Sequence, residues 1–380
     1  MATARRLLVL ATYPEAAAAS RFRLCAYFPA LRERGIEPDF RPFLSDEAFA
    51  AIYRQGRTVE KARHVLGACA DRLTLWLEKT PYDGVLVQRE AAIVGPALLE
   101  HALRVRRGLP LIFDFDDAIW LDGFADKSGL PNRRIARLLK APGKTEGLVR
   151  RAAHVVAATR FLADYARVRN PRVSVVPSVV PAARWRPRTG RLEGAPLSDP
   201  PLVGWIGTHS TAFQLGLVLP ALRRLRDEGR RFRLRLVGAG RDFDLPGVEL
   251  ENVPWSAERE VDDFAGLDVG LAPIHEDPWA EGKGGFKQLQ YMAVGVPFAS
   301  SFRSGAREFL VDRENCLLAE GDEGWYRALS TLLDDHAARA RLARAGRRLV
   351  EETYSTERQA PRFAAIVASA LAAEPARPAA

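Results

Sequence analysis

Short runs of apolar and β-branched residues alternate with longer amphipathic stretches along most of this 380-residue chain. In the first half, residues 7–11, 84–88, 111–115, 154–158 and 173–176 have the length and apolar density of strands buried on both faces. Between them, residues 21–34, 59–79, 91–106 and 158–167 repeat apolar positions at helical spacing. This alternation predicts a parallel sheet with helices on each side. It breaks over residues 181–201 (PAARWRPRTGRLEGAPLSDPP), where Pro and Gly recur and no period of 2 or 3.6 survives, which reads as a linker. Alternation then restarts: strands at 202–206, 233–237, 248–253, 269–272 and 296–300, and helices at 212–228, 257–265 and 286–293. Three helical stretches follow, 324–334, 337–352 and 357–373, and the last residues (EPARPAA) read as a frayed tail. The expected organisation is a domain over 1–180, the linker, a second domain over 202–355, and a last helix with its tail over 356–380.

Length and composition agree with two α/β domains. A chain of 380 residues exceeds the size at which one hydrophobic core stops growing, and 47% hydrophobic with 27% charged residues is ordinary for a globular protein. No run approaches the length needed to cross a bilayer. The opening Met1-Ala-Thr-Ala-Arg-Arg leads straight into a strand-like run, so no secretory leader is expected and a cytoplasmic location is. The three cysteines, Cys25, Cys69 and Cys316, lack metal-ligand spacing and suit free thiols in a reducing compartment. The six histidines likewise give no ligand spacing, so no metal is expected, and no G-x-G-x-x-G opens either half, so no dinucleotide or other cofactor is. A net charge of +9 is compatible with phosphate-bearing substrates, nucleic acid or an anionic membrane surface. The basic residues are scattered and not interleaved with aromatics, which argues against nucleic acid.

Ligands of open parallel sheets sit beyond the carboxyl ends of the strands, so the exit loops carry the candidate chemistry. The loop after 202–206 is Gly207-Thr208-His209-Ser210-Thr211, a glycine and hydroxyls leading into a helix start. It reads either as an anion contact or simply as a capped helix. Residues 278–297 (PWAEGKGGFKQLQYMAVGVP) are the most informative. Gly282, Gly284 and Gly285 precede a helix, and two of the chain's seven lysines, Lys283 and Lys287, fall within five residues of each other. In a chain that prefers arginine, lysines beside a Gly-rich helix start point to phosphate oxygens, against the plainer reading of a solvated basic turn. Glu281 stands where it can accept from sugar hydroxyls. Gln290, one turn past Phe286 on the same face, is placed to reach a ribose. In the first half, Asp114, Asp116 and Asp117 crowd one strand end (FDFDDAIW), where like charges repel unless solvated, paired or liganded. Asp116 and Asp117 are the candidates for facing a substrate, and Asp114 for a structural role. Arg21 and Arg23 begin a helix after the first strand; they either steer an anionic acceptor or lie on the surface. That same helix, with the basic surface, is the candidate for peripheral contact with an anionic membrane.

The stretch 268–301 (DVGLAPIHEDPWAEGKGGFKQLQYMAVGVPFASS) resembles the donor-binding segment of family 4-type (group 1) retaining glycosyltransferases of the GT-B fold. Residues 203–207, 236–240 and Val253-Pro254-Trp255 are similar to that family's successive strand ends. Residues 351–356 (EETYST) and the helix after them resemble its C-terminal crossover. The resemblance implies an α/β fold of two Rossmann-like domains whose parallel sheets face an inter-domain cleft. It also implies a nucleotide-diphosphate sugar held by the second domain, a glycan, lipid-linked or small-molecule acceptor against the first, and retention at the anomeric carbon. By position, Val253 and Trp255 would face the nucleobase, Gly284, Gly285 and Phe286 the diphosphate or donor sugar, and Gln290 the ribose. Asp116, Asp117, Lys283 and Lys287 are then the expected catalytic groups. The chain departs from the family pattern in three places. Gly282 and Gln290 stand where the family has two glutamates; the loop 207–211 holds only His209 where the family has an arginine and a lysine; and the usual Gly-rich first loop is Ala-rich at 16–19. Asp114-x-Asp116 also resembles the metal-binding D-x-D of a different glycosyltransferase fold, but the lysines already provide a cationic phosphate site. Two other readings fit the same architecture: a nucleotide-sugar 2-epimerase, which needs no acceptor, and a non-catalytic nucleotide-sugar binding protein.

Overall fold

The computed structural model describes residues 4–52, 58–78, 81–121, 141–240, 243–302 and 305–373. The tail expected to fray, 374–380, lies outside them. The chain divides into two compact units, Met1–Ser178 with Gln359–Ala380, and Val179–Arg358. The Pro- and Gly-rich stretch 181–201 lies within the second unit, and Trp185 in it is buried.

Unit 1 is built on six described strands, β1 (Arg5–Ala11), β2 (Ile36–Pro42), β3 (Gly84–Gln88), β4 (Leu111–Phe115), β5 (His154–Ala157) and β6 (Val173–Val175). They are parallel and lie in the order β2-β1-β3-β4-β5-β6. Between them run α1 (Ala18–Arg23), α2 (Phe28–Glu33), α3 (Asp46–Ile52), α4 (Thr58–Leu77), α5 (Leu98–Arg107), α6 (Lys144–Arg151) and α7 (Arg160–Arg167). The central strands β3 and β4 are buried throughout, as their unbroken apolar runs require. Strand β2 carries Pro38 and Pro42 and so gives no strand signal. It tolerates them because it is an edge strand, where the missing N–H groups need no partner. The helix expected over 21–34 is instead three short pieces, α1, a 3₁₀ turn at Cys25–Tyr27, and α2, with Phe22, Leu24, Tyr27 and Leu31 buried. Local chemistry sets the other helix ends: the Thr159 hydroxyl caps α7 by accepting from Leu162 N, and Gly108 takes the left-handed conformation that ends α5.

Unit 2 has β7 (Leu202–Ile206), β8 (Arg233–Val237), β9 (Glu249–Val253), β10 (Val269–Ala272), β11 (Phe298–Ser300) and β12 (Leu317–Leu318) in the order β12-β11-β10-β7-β8-β9. Its helices are α8 (Leu219–Asp227), α9 (Glu260–Ala265), α10 (Pro278–Glu281), α11 (Phe286–Ala293), α12 (Gly321–Asp334) and α13 (His336–Leu349). The helix expected over 212–228 is a 3₁₀ segment, Ala212–Leu217, followed by α8, with Pro220 in the first turn of α8 where its missing N–H costs nothing. Trp205, Leu215, Leu222, Leu236, Leu271, Trp325 and Leu329 belong to one buried cluster between the sheet and its helices. The last helix, α14 (Thr356–Ala372), passes back into unit 1 from Gln359 onward. There Phe363 stacks on Tyr27 at 4.5 Å, and the Leu371 side chain lies over Gly84 of β3.

Candidate functional site

In unit 2 the strand order reverses between β7 and β10, the switch point at which doubly wound sheets open a crevice. On the other side of β7 from β10, the loops leaving the carboxyl ends of β7, β8 and β9 close on one another. Gly207 N donates to Val237 O at 3.0 Å, and Gly238 N donates to Val253 O at 2.9 Å. Gly238 has φ +74°, and a Cβ on it would lie 2.2 Å from Gly207 O and 3.2 Å from Trp255 Cβ, so no larger residue fits this approach. Within the Gly207–Thr211 loop the hydroxyls are tied together: Thr211 Oγ1 donates to Thr208 O at 3.0 Å, and Thr208 Oγ1 lies 2.9 Å from Ser210 Oγ.

Helix α11 connects β10 to β11, so its N-terminus stands at the carboxyl end of β10, beside the β7 loop. Gly285 precedes it in the left-handed conformation (φ +68°), and a Cβ there would sit 2.6 Å from Ala306 Cβ and 2.8 Å from Phe309 Cζ. This glycine lets the helix start turn tightly against the following loop. Gly305 N fastens the same turn by donating to Lys283 O at 2.8 Å. Lys287, in the first turn of α11, is half-buried with its Nζ 4.3 Å from the centre of the Trp205 ring. Burial pushes its ammonium from the ordinary 10.5 down to about 7, and the like charge of Lys283 adds to the fall. Among the described residues no carboxylate pairs with Lys287. The two lysines and the positive end of the helix dipole therefore put like charge at one point of the fold. Glu281 pairs with Arg307 at 3.4 Å.

Gln290 is buried, and its Nε2 donates to Glu260 Oε1 at 3.2 Å. Gln290 thus holds an internal contact to α9, and a buried carboxylate stands next to position 290 although the residue itself is neutral. Gln288 is also buried, donating to Ser300 Oγ at 3.3 Å, so the inner face of α11 is fixed by polar contacts to the sheet.

In unit 1 the order reverses between β1 and β3. Arg89 leaves β3 with φ +61°, a conformation uncommon for a residue with a Cβ. Its guanidinium bonds Asp116 through two nitrogens, at 2.6 and 2.9 Å, and Asp117 at 2.5 Å. Gln88 Nε2 donates to Asp116 Oδ1 at 3.3 Å. Burial works against ionisation of Asp116, and the Arg89 charge outweighs it, so the carboxyl lies below its ordinary range. The Arg89 guanidinium also faces the Tyr13 ring at 6.0 Å, and burial raises the Tyr13 hydroxyl.

The structure thus gathers Asp116 and Asp117 on one arginine in unit 1. In unit 2 it gathers Gly207, Thr208, His209, Val253, Trp255, Lys283, Gly284, Gly285, Phe286 and Lys287 at the carboxyl ends of the sheet or the tip of α11. It does not leave Arg23 for an acceptor. That side chain is buried in a bidentate pair with Asp114 at 2.8 and 2.7 Å and also donates to Val176 O at 2.7 Å, so its charge is spent inside the fold. Arg21 is half-buried, donates to Ala16 O at 3.1 Å and lies over the Phe22 ring. Arg89, Gln88, Tyr13, Trp205 and Glu260 went unread. Their only sequence signal is position, since four of them lie at or just past the ends of predicted strands. Among the described residues no group of three or more His, Cys, Asp and Glu is arranged to hold a metal ion, and no helix is long and apolar enough to cross a membrane.

Comparison with known proteins agrees with this fold. Residues 200–335 match the family model described as glycosyl transferases group 1, a span covering most of unit 2 and containing the Gly- and Lys-bearing helix start. No curated protein sequence matches the chain. Among solved structures, a sucrose-phosphate synthase from Thermosynechococcus elongatus superposes with TM-score 0.67 at 14% identity, covering 96% of this chain and 99% of that one. Anabaena HepE in complex with UDP and glucose gives TM-score 0.62 at 13% identity, over 96% and 99% of the two chains. WaaG, a glycosyltransferase involved in lipopolysaccharide biosynthesis, gives 0.59 at 14%, over 95% and 99%. At these identities the likeness is one of fold: two parallel six-stranded sheets with flanking helices, as in GT-B glycosyltransferases.

Proposed function

We propose that this chain is a glycosyltransferase that binds the diphosphate of a nucleotide-sugar donor at the N-terminus of α11 and passes the sugar to an acceptor hydroxyl. The observation that carries the reading is Lys287: a half-buried ammonium, depressed to about 7, beside a second lysine and a glycine helix start. A protein keeps such a cation where an anion will neutralise it, and a leaving diphosphate gains negative charge as the glycosidic bond breaks. The helix N–H groups, Lys283 and Lys287 stabilise that charge electrostatically, so the reading calls on no metal for it. Retention of anomeric configuration follows from the family resemblance. In that route the leaving phosphate oxygen takes the acceptor proton, and no enzymic nucleophile is required. Asp116, held ionised by Arg89, and Asp117, paired with the same guanidinium, are the groups offered to the sugar or acceptor. Because HepE is a structural neighbour solved with UDP and glucose, UDP-sugars are the first donors to try. The acceptor is a glycan, a lipid-linked sugar or a small molecule, worked on in the cytoplasm or at the inner face of the cell membrane.

The test is a donor panel read by thermal shift, followed by turnover with the selected donor. Lys283→Ala and Lys287→Ala are each expected to keep the fold and lower turnover by roughly 10²–10³-fold, the cost of losing one preorganised charge-stabilising group. Near-native turnover in both variants would end the assignment. Product formed from donor alone, by inversion at the sugar C2, would make the protein an epimerase.

A further inference from the structure

Of the eleven large apolar side chains that the described residues leave in water, six stand on two neighbouring helices of unit 1. On α4 they are Val59, Leu66, Leu73 and Leu77, exposed by 84, 70, 63 and 82%; on α5 they are Leu98 and Val105, at 59 and 53%. The two helices pack against each other. The crossovers β2–α4–β3 and β3–α5–β4 run in the same direction across the sheet, so the right-handed rule sets both helices on one side of it.

The spacing on these helices is specific. Positions 59, 66 and 73 are seven apart, and so are 98 and 105. Residues seven apart drift by only about 20° around a helix, so each set forms a line along the surface. The exposed Ala62 and Ala70 fall within about 40° of the α4 line, and the nearest charge, Arg63, is about 60° away at 100° per residue. Burial inside unit 1 does not explain this stripe, because α4 sends a different face, with Ala68, Arg72 and Leu75, into the protein. The stripe is narrow, one line on each of two packed helices with Arg63 about 60° from the α4 line, and a facing helix fits such a line, since its side chains enter the holes between residues spaced in this way.

We propose that the α4–α5 face is a two-fold interface between two copies of this chain. An isologous contact sets this patch against itself, so each stripe finds an apolar partner without any new feature elsewhere. The area agrees. At ~25 cal/mol per Å², a branched side chain worth ~2.5 kcal/mol on burial carries on the order of 100 Å² of apolar surface. The six side chains therefore leave on the order of 400 Å² in water, the size at which a patch marks an interaction site. A two-fold pair covers about 800 Å² from these residues alone, and the alanines and the polar rim carry it toward the roughly 1,200–2,000 Å² of a stable interface. This inference does not depend on the donor site.

The test is sedimentation of the full-length chain over a concentration series, with Leu66→Glu/Leu73→Glu and the milder Leu66→Gln/Leu73→Gln alongside. All four substitutions fall on exposed positions, so circular dichroism and the melting midpoint should stay close to the parent. The parent is expected at twice the chain mass, and both variants at half of that value. A parent that stays monomeric at every concentration, or variants that remain dimeric, would overturn the interface. So would a monomeric parent that pellets with phosphatidylglycerol vesicles while the leucine variants do not, since the face would then belong to lipid.

Discussion

If Lys287 receives a phosphate, donor binding must respond to pH in a particular way. Burial holds its ammonium at about 7, against an ordinary 10.5, so the free protein carries the lysine largely neutral above that value. A bound diphosphate favours the charged form and draws a proton onto Nζ. At pH 8 a group titrating near 7 is about nine-tenths deprotonated, so each donor bound takes up ~0.9 proton. Affinity is then flat below pH 6 and falls about tenfold per pH unit above 7, reaching a loss of about 100-fold by pH 9. A nucleotide-sugar diphosphate has no titration of its own in this range, so the slope reports the protein. Calorimetric titration at pH 8 in two buffers of different ionisation enthalpy measures the proton directly, and Lys287→Met should abolish both uptake and slope. Stability of the free protein moves the other way. The unfolded chain binds this proton up to about 10.5 and the folded chain only up to about 7, so the Lys287 contribution to stability rises between those values. Binding that is independent of pH from 6 to 9, with no proton taken up, would refute the placement of phosphate at this lysine.

Other perturbations test the surrounding framework. Gly285→Ala forces a side chain into a left-handed turn and against Ala306 and Phe309; it should cost about 1–3 kcal/mol in urea unfolding and weaken donor binding as the helix start shifts. Arg23→Leu leaves the Asp114 carboxylate buried and unpaired and should cost about 3–5 kcal/mol, whereas Arg23→Leu with Asp114→Leu should recover most of that loss. Equal melting midpoints for the single and double variants would show that the pair is not what matters there. Gln290→Glu sets a second carboxylate 3.2 Å from Glu260, so one of the two must keep its proton in the folded state. Its melting midpoint should fall further below the parent at pH 8 than at pH 5, with no gain in donor affinity.

Much of this architecture was legible because parallel strands buried on both faces announce themselves as apolar runs. The segments 84–88 and 111–115 coincide with β3 and β4, and the glycines and lysines at 282–287 fall at the tip of α11. Strand β2 was not legible, since Pro38 and Pro42 erase the period on an edge where they do no harm. The continuous helix expected over 21–34 failed for a different reason. Residues 21–34 are apolar enough on average, but the chain turns at Leu24, with φ −123° and ψ −64°, and breaks into shorter pieces. The site was half readable. Three aspartates at one strand end signalled unresolved charge, but what resolves it, Arg23 for Asp114 and Arg89 for Asp116, lies 91 and 27 residues away. Nothing periodic links such partners. Gln290 and Glu260 are separated by 30 residues on different helices, so a contact with ribose and a contact inside the protein look alike from the sequence.

Because the last helix returns to unit 1, the second unit is one uninterrupted insertion between residues 178 and 359. On the ribosome, unit 1 is therefore the first to be started and the last to be finished. Its sheet is made early, yet Tyr27 and Gly84 wait for Phe363 and Leu371 to arrive from the far end of the chain. A chain released after Arg358 would carry every residue of the insertion while leaving those two sites on unit 1 uncovered.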